Sequence, residues 1–535
     1  MISKIRIYSL LMILFIALSC SNDRIDTFAN AFSVEKEKNV DYLKSKFSLA
    51  LAKVLSENKN AREFIKNEAL KQFDYDYDVL YMLVKDKTIM DGKSLEMLLL
   101  QHMKKNDLYS LIHQIPALTI FVPSLPENIF SAEEWNVEQE VPCVAFKNEK
   151  EQILFVDSKG EFKKIRDNEI PAFPIVVVKP SERVVLQSES TRSSGTVLEG
   201  ENGLNFVFEY NEFNNLTHAN IKTRSVGATE IPDSLKKIYD AKKFSDENGI
   251  WQRDYIYYNI STKNGKGVFQ KNISECLYSF ELMGDPNNSF RNLSDQADDP
   301  KYYEDAPDSR RPRESSYWYN GNYEFIIRLY VSNNQLTTSE IDKGLSISPY
   351  DLFSLDLQHK ENGRDTSPMI AVGVKEYKKY YLPEPLQLFD WNIENYSTAI
   401  KISIEEKDNK GIIQNVVETT TTFATNFEFD ASLGEKKKIG AKFGASSTIQ
   451  QKISTTVTTN LDSDLLGDVI VNFGDDVVVK NEMDSIGYYV TNGRTTRTTK
   501  SSRPGEVRVP IYKPALNPKY KSGYYKIEIL PLALY

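Results

Sequence analysis

Histidine and cysteine are scarce, with four His and three Cys in 535 residues. His102, His113, His218 and His359 lie far apart in the chain, and neither an HExxH nor a CxxC occurs. The spacings that bring zinc ligands together on one turn are therefore missing. Basic residues are not in excess: 66 Lys and Arg stand against 75 Asp and Glu, a net charge of −9. Nucleic-acid binders present a basic face, so that partner class is set aside. Past the N-terminus, no apolar run reaches the roughly 18 residues of a membrane-spanning helix. The chain also lacks a GxSxG elbow, a local Cys–His pair and a glycine loop opening a helix. SxxK occurs at Ser56–Lys59 and Ser234–Lys237 without an SDN companion, a spacing that a Ser- and Lys-rich chain produces by chance. A glycosidase needs only two carboxylates across a cleft, and 75 acids give no means of locating them.

The length exceeds one ordinary domain. Tyr and Phe number 30 and 27 against four Trp, a bias that suits β-sheets and also glycan-binding surfaces. The N-terminus reads as a processing signal: Lys4 and Arg6, an apolar run from Ile7 to Leu18, then Ala17-Leu18-Ser19-Cys20 before the polar Ser21-Asn22-Asp23. This resembles a bacterial lipoprotein signal with a loose lipobox, in which Ala17 stands where Leu is commoner. The resemblance implies cleavage before Cys20, acylation of its thiol (palmitate or a similar chain) and of the new amino group, and attachment to the cell envelope, at the outer membrane or cell surface. An ordinary secretory signal is the alternative. Cys143 and Cys276 remain, able to form one disulfide in an exported protein or to stay as two buried thiols.

The pattern along the chain predicts an α+β, multidomain protein. Residues 1–19 are the signal and 20–33 a tether. An N-terminal helical module spans 34–113, with Leu43, Phe47, Ala50, Leu51, Val54 and Leu55 on one face and Asn60 and Ser94 as caps. Val79, Leu80, Leu83 and Val84 extend its helical pattern. Asp74, Asp76 and Asp78 alternate as calcium ligands do, but lack the glycine and distal acid of an EF-hand; a solvated helix start is the plain expectation. A small β unit follows at 114–186, with a turn at Asp157-Ser158-Lys159-Gly160. Residues 187–203 read as a linker. A β-sandwich-like domain spans 204–410, with a helix after Asp233 and strands at Tyr255–Tyr258, Tyr323–Val331 and Ile400–Glu405. Its loop carries Asp295, Asp298, Asp299 and Asp305, four carboxylates able to bind extracellular calcium or to be neutralised by Arg310, Arg311 and Arg313. No other cofactor is expected.

The C-terminal β-domain, 411–535, holds the strongest pattern. From Glu418 to Leu461, bulkier or apolar residues favour odd positions: Phe423, Phe427, Phe429, Leu433, Ile439, Phe443, Ile449, Ile453 and Val457. Even positions carry Glu428, Asp430, Lys442 and Lys452 among others. A period of two marks a two-faced strand, and Gly434-Glu435-Lys436-Lys437-Lys438 reads as the turn of a long amphipathic β-hairpin. Its Thr/Ser texture, at Thr419–Thr422, Ser446-Ser447-Thr448 and Ser454-Thr455-Thr456, resembles the hairpin region of aerolysin-type pore formers. That resemblance covers about fifty residues and implies a hairpin that joins a membrane barrel through Phe423, Phe427, Phe429, Ile439, Phe443 and Ile449. Three functional expectations result. The first is an envelope lipoprotein with a non-catalytic binding or structural role, its partners a glycan or an envelope protein and the membrane through the lipid on Cys20. The second is an aerolysin-like pore former using 418–461. The third is a secreted hydrolase without a recognisable motif.

Overall fold

The computed structural model describes residues 39–126, 129–150, 152–166, 169–187, 196–200, 204–214, 233–248, 251–261, 268–286, 289, 293, 317–335, 337–359, 368–392, 395–407, 412–427, 445–460, 465–480, 483–491, 494–497, 506–512 and 515–533. Helices come first and antiparallel sheets follow, so the protein is a β-rich α+β chain of several units.

In the N-terminal unit, α1 (Val40–Glu57) buries Leu43, Phe47, Ala50, Leu51, Val54 and Leu55, the stripe its spacing predicts. Asn39 caps it by accepting from the Asp41 and Tyr42 N–H groups. The next helix, α2 (Lys59–Ala69), is capped by Asn58 rather than Asn60, because the helix already includes Lys59 and Asn60. Ser94 caps α3 (Leu95–Leu99), as its sequence context suggests, and α4 (Lys105–Gln114) completes the helical layer. These helices sit on a six-stranded sheet. Its strands are β1 (Asp78–Leu80), β2 (Leu118–Phe121), β3 (Cys143–Lys147), β4 (Ile153–Val156), β5 (Phe162–Ile165) and β6 (Ile175–Pro180), in the order β1-β2-β6-β3-β4-β5. Only β3 and β6 run parallel. The β4–β5 turn places Gly160 at φ +83, where a glycine is favoured, and packs it against Leu49 of α1. The helical pattern expected across Val79–Val84 is instead strand β1 and a single turn, Tyr81–Val84.

Further on, α5 (Asp233–Asn248) leads to α6 (Gln252–Tyr258). The Tyr255–Tyr258 run reads as a strand but is helical. Asn259 adopts φ +52 and returns its N–H to the last turn, and Arg253, Asp254 and Tyr257 are buried by tertiary packing that overrides aromatic β-propensity. Two sheets then pack face to face. One comprises β7 (Ile273–Leu282), flanked by β12 (Tyr380–Phe389) and β17 (Tyr525–Ala533). The other has the order β9-β8-β13-β16, from β8 (Tyr323–Ser332), β9 (Thr338–Ile347), β13 (Ala399–Glu406) and β16 (Leu465–Asn472). Phe280 joins them, its ring 5.1 Å from Phe325 and 6.0 Å from Tyr525. The Tyr525 hydroxyl crosses to the Gly467 carbonyl at 3.0 Å. The strands of this sandwich thus come from both sides of position 410. Within 187–203, Val197–Glu199 pairs with Asn205–Phe208, which also pairs with Val184–Leu186. Two further strands, β10 (Phe353–His359) and β11 (Met369–Tyr377), form a sheet with Glu169–Ile170 of the N-terminal unit. No helix among the described residues is long and apolar enough to cross a membrane.

Candidate functional site: the ribbon and its root

The strands β14 (Ile412–Phe427) and β15 (Ala445–Asn460) form an antiparallel two-stranded sheet of their own. Pairing runs from Ile412↔Asn460 to Phe427↔Ala445. It continues, with a small register shift, the pairing of β13 with β16 from Ala399↔Asn472 to Glu405↔Leu465. The same two stretches of chain thus pair with each other first in the sandwich and then in the ribbon, in nearly the same register. Odd positions pair with odd positions, so Phe423 lies opposite Ile449 and the period-two pattern is kept across the pair. Beside the sandwich, β14 runs close to β13 and β15 close to β9. Phe429, Ile439 and Phe443 lie outside the described residues, as do the 434–438 turn, Cys20 and the acidic set Asp295, Asp298, Asp299 and Asp305.

At the root of the ribbon is a cluster of charges. Lys407 follows β13 directly, and its backbone N–H donates to the Glu324 carbonyl at 2.9 Å. Its ammonium donates to Glu324 Oε2 at 3.1 Å and sits 3.6 Å from the Tyr210 ring centroid. The other carboxylate oxygen, Glu324 Oε1, accepts from Arg183 Nε. Arg183 also donates to the Asp74 carbonyl and to Ser346 Oγ (3.2 Å), with Asp76 Oδ2 at 3.8 Å. Asp76 accepts in turn from the Asn322 N–H at 3.1 Å. Burial would push the Glu324 carboxyl up, but Arg183 and Lys407 together outweigh it and bring it down to about 2. Burial raises Asp74 well above the ordinary carboxylate range, the nearby Asp78 adds to the rise, and Arg183 opposes both.

The three aspartates are thus not a solvated helix start: Asp74, Asp76 and Asp78 are all at most 3% exposed. Nor do the described residues include any cluster of three or more His, Cys, Asp or Glu arranged to hold a metal ion; what meets Asp74 and Asp76 is a guanidinium. Cys143 and Cys276 are both free and buried, in β3 and β7 of separate sheets, so the disulfide is not formed. Burial pushes the Cys143 thiol up to about 12. Sequence reasoning missed Arg183, Glu324 and Lys407, since their pairing spans 141 positions between the first two. The local hint was Glu324, which with Arg328 interrupts a mostly apolar strand run.

A separate groove of about 410 Å³ lies where α2 begins, lined by Glu57, Asn58, Lys59, Met90, Gln101 and His102 among others. His102 Nε2 is 3.1 Å from Glu57 Oε2 across it. Compared with known proteins, the chain matches no family model, no curated protein and no solved structure.

Proposed function

We propose that the protein is a lipid-anchored, non-catalytic protein of the cell envelope that acts on membranes through the 412–460 ribbon, as a β-pore former. The observation that carries this reading is the ribbon itself, a sheet of two strands whose outer edges pair with no other strand among the described residues. Each arm has 16 residues, about 50 Å at ~3.3 Å per residue. A transmembrane strand needs roughly 9–11.

Charge placement supports the same reading. Between Ile412 and Asn460, Glu418, Glu428, Asp430, Lys436, Lys438, Lys442 and Lys452 all occupy even positions. Only Glu435 and Lys437, in the sequence read as the turn, occupy odd ones. One uncharged set alternating with one charged set suits a wall with lipid outside and water inside. Unpaired edges are not tolerated in hydrocarbon, so one ribbon alone cannot span; several copies closing a barrel can. Acylation at Cys20 would concentrate them on a bilayer.

Dye-loaded liposomes test this. The protein should release dye and yield heat-stable oligomers in detergent, and deleting Phe427–Phe443 should abolish release while the sandwich stays folded. Release that survives the deletion would refute the assignment. A second reading, saturable binding of a glycan or envelope protein without leakage, is favoured by the groove of mixed polar and apolar lining at the start of α2. Binding lost on changing Gln101 and His102, with no dye release from any form, would select it.

A further inference from the structure

The charge cluster at the ribbon root joins three parts of the chain. Glu324 (β8), Ser346 (β9) and Lys407 (after β13) belong to the same end of one sandwich sheet, where Glu324 pairs with Ser346 and Phe325 with Glu406. The ribbon leaves from that end, since β13 ends at Glu406 and β14 begins at Ile412. Arg183, Tyr210 and Phe213 belong to another part, the small sheet in which Val184–Leu186 pairs with Asn205–Phe208. Asp74 and Asp76 belong to the N-terminal unit just before β1.

Glu324 is the node, giving one carboxylate oxygen to each cation. Arg183 is 4% exposed and Lys407 6%. Lys407 is held on its remaining sides by the Tyr210 and Phe213 rings, and Arg183 lies 5.5 Å from the same Phe213 ring. Moving the 183–213 segment away would remove Arg183 and both rings together. Water would then reach the Glu324–Lys407 pair, and a hydrated ion pair is worth little. In place, the cluster is the opposite case: deleting one partner strands a buried charge.

We propose that Arg183, Glu324 and Lys407 form a latch, so that undocking of the N-terminal unit with the 183–213 segment frees the root of the 412–460 ribbon. The latch regulates the element named in the proposed function and rests on that reading for its purpose. It does not rest on it for its existence. Gly321 shows how close the docking is. It has φ +109, and a Cβ there would overlap Asp76 Oδ2, so the β8 approach and the aspartate loop fit only with glycine between them.

Hydrogen exchange on the full chain tests the latch without needing a membrane. Arg183→Met and Glu324→Gln should speed exchange at least tenfold in peptides covering 399–407 and 412–416, whereas Lys407→Arg should keep the wild-type rate. Leu108→Ala is the control: Leu108 is buried in α4 of the N-terminal unit, a helix that packs on α1. It should speed exchange in the helices and leave the root slow. Unchanged root exchange in Arg183→Met and Glu324→Gln overturns the latch; so does a root loosened as much by Leu108→Ala as by Arg183→Met. If Glu324→Gln does not fold, Lys407→Gln takes its place with the same two outcomes. In liposomes, Arg183→Met should shorten the lag before dye release. If no form releases dye, the pore reading fails and the exchange result still decides the latch.

Discussion

Arg253 and Glu275 make a two-point ion pair inside the protein: Nε to Oε1 at 2.8 Å and Nη2 to Oε2 at 3.2 Å, with both residues 1% exposed. The Tyr257 hydroxyl adds a third donor to Oε1 at 2.9 Å, and Arg253 Nη1 donates to the Asp475 carbonyl at 3.0 Å. The pair ties α6 to β7. It explains why the Tyr255–Tyr258 run is helical, since a helix brings both Arg253 and Tyr257 to one carboxylate.

Arg253→Met should therefore destabilise the protein by about 3–5 kcal/mol, because it leaves the buried Glu275 carboxyl without its cation. Adding Glu275→Leu should recover most of that loss. Urea unfolding of both forms checks this; a double variant no better than the single one would show that packing, not charge, holds α6 in place.

Asp254 is the next residue along the helix and has no such partner. It is fully buried, and neither carboxyl oxygen has a hydrogen-bond partner among the described residues. Burial raises it well above the ordinary carboxylate range. In the unfolded chain an aspartate ionises near ~3.9, so above that pH the folded form retains a proton that the unfolded form has lost. The stability tied to Asp254 is therefore complete below the unfolded value and declines as pH rises towards the folded one. Asp254→Asn removes this dependence. Its stability relative to the parent should improve by up to about 1.4 kcal/mol per pH unit within that window. Urea titrations at pH 5 and pH 7 measure the slope; an offset equal at both values would mean that the carboxyl is not held protonated.

Local rules made part of this architecture legible. The Leu43–Leu55 stripe, the Ser94 cap, the Asp157–Gly160 turn and the parity of 418–427 with 445–460 each rest on residues a few positions apart, where backbone period and turn chemistry dominate. The ribbon root rests on none of these. Glu324 and Arg183 meet because separate sheets dock, and no spacing rule links positions that far apart. Asp74, Asp76 and Asp78 show the cost of reading charge locally: alternating acids suggest solvent, yet all three are buried, and the Arg183 guanidinium, from 109 positions away, donates to the Asp74 carbonyl and lies 3.8 Å from Asp76 Oδ2. The 410/411 boundary fails to mark a sheet boundary for a related reason. The chain leaves the sandwich for the ribbon and returns to it at β16, so continuity in sequence and in the sheet part company.

The two buried thiols give a simple chemical check. Burial raises both Cys143 and Cys276, and a raised thiol has little reactive thiolate. Native protein treated with iodoacetamide at pH 8 should carry no label at either position, while urea-unfolded protein should be labelled at both without prior reduction. A peptide linking Cys143 to Cys276 in the unreduced digest would contradict the separation of the two strands.

The ribbon's register makes the pore reading testable one residue at a time. Ile449 pairs with Phe423 in an odd row, whereas Thr448 pairs with Ala424 in the adjacent even row. If the odd rows meet lipid, Ile449→Lys places an ammonium in hydrocarbon at a cost of about 2–4 kcal/mol per strand. Dye release should then fall at least tenfold. Thr448→Lys puts the same charge at one of the even positions, the set that already includes Glu418 and Lys452, and release should stay within about twofold of the parent, since lumen-facing charge tunes selectivity rather than insertion. Equal melting temperatures for the two variants would separate insertion from folding. Equal loss of release in both would show that the alternation serves packing in the soluble protein and not passage through a bilayer.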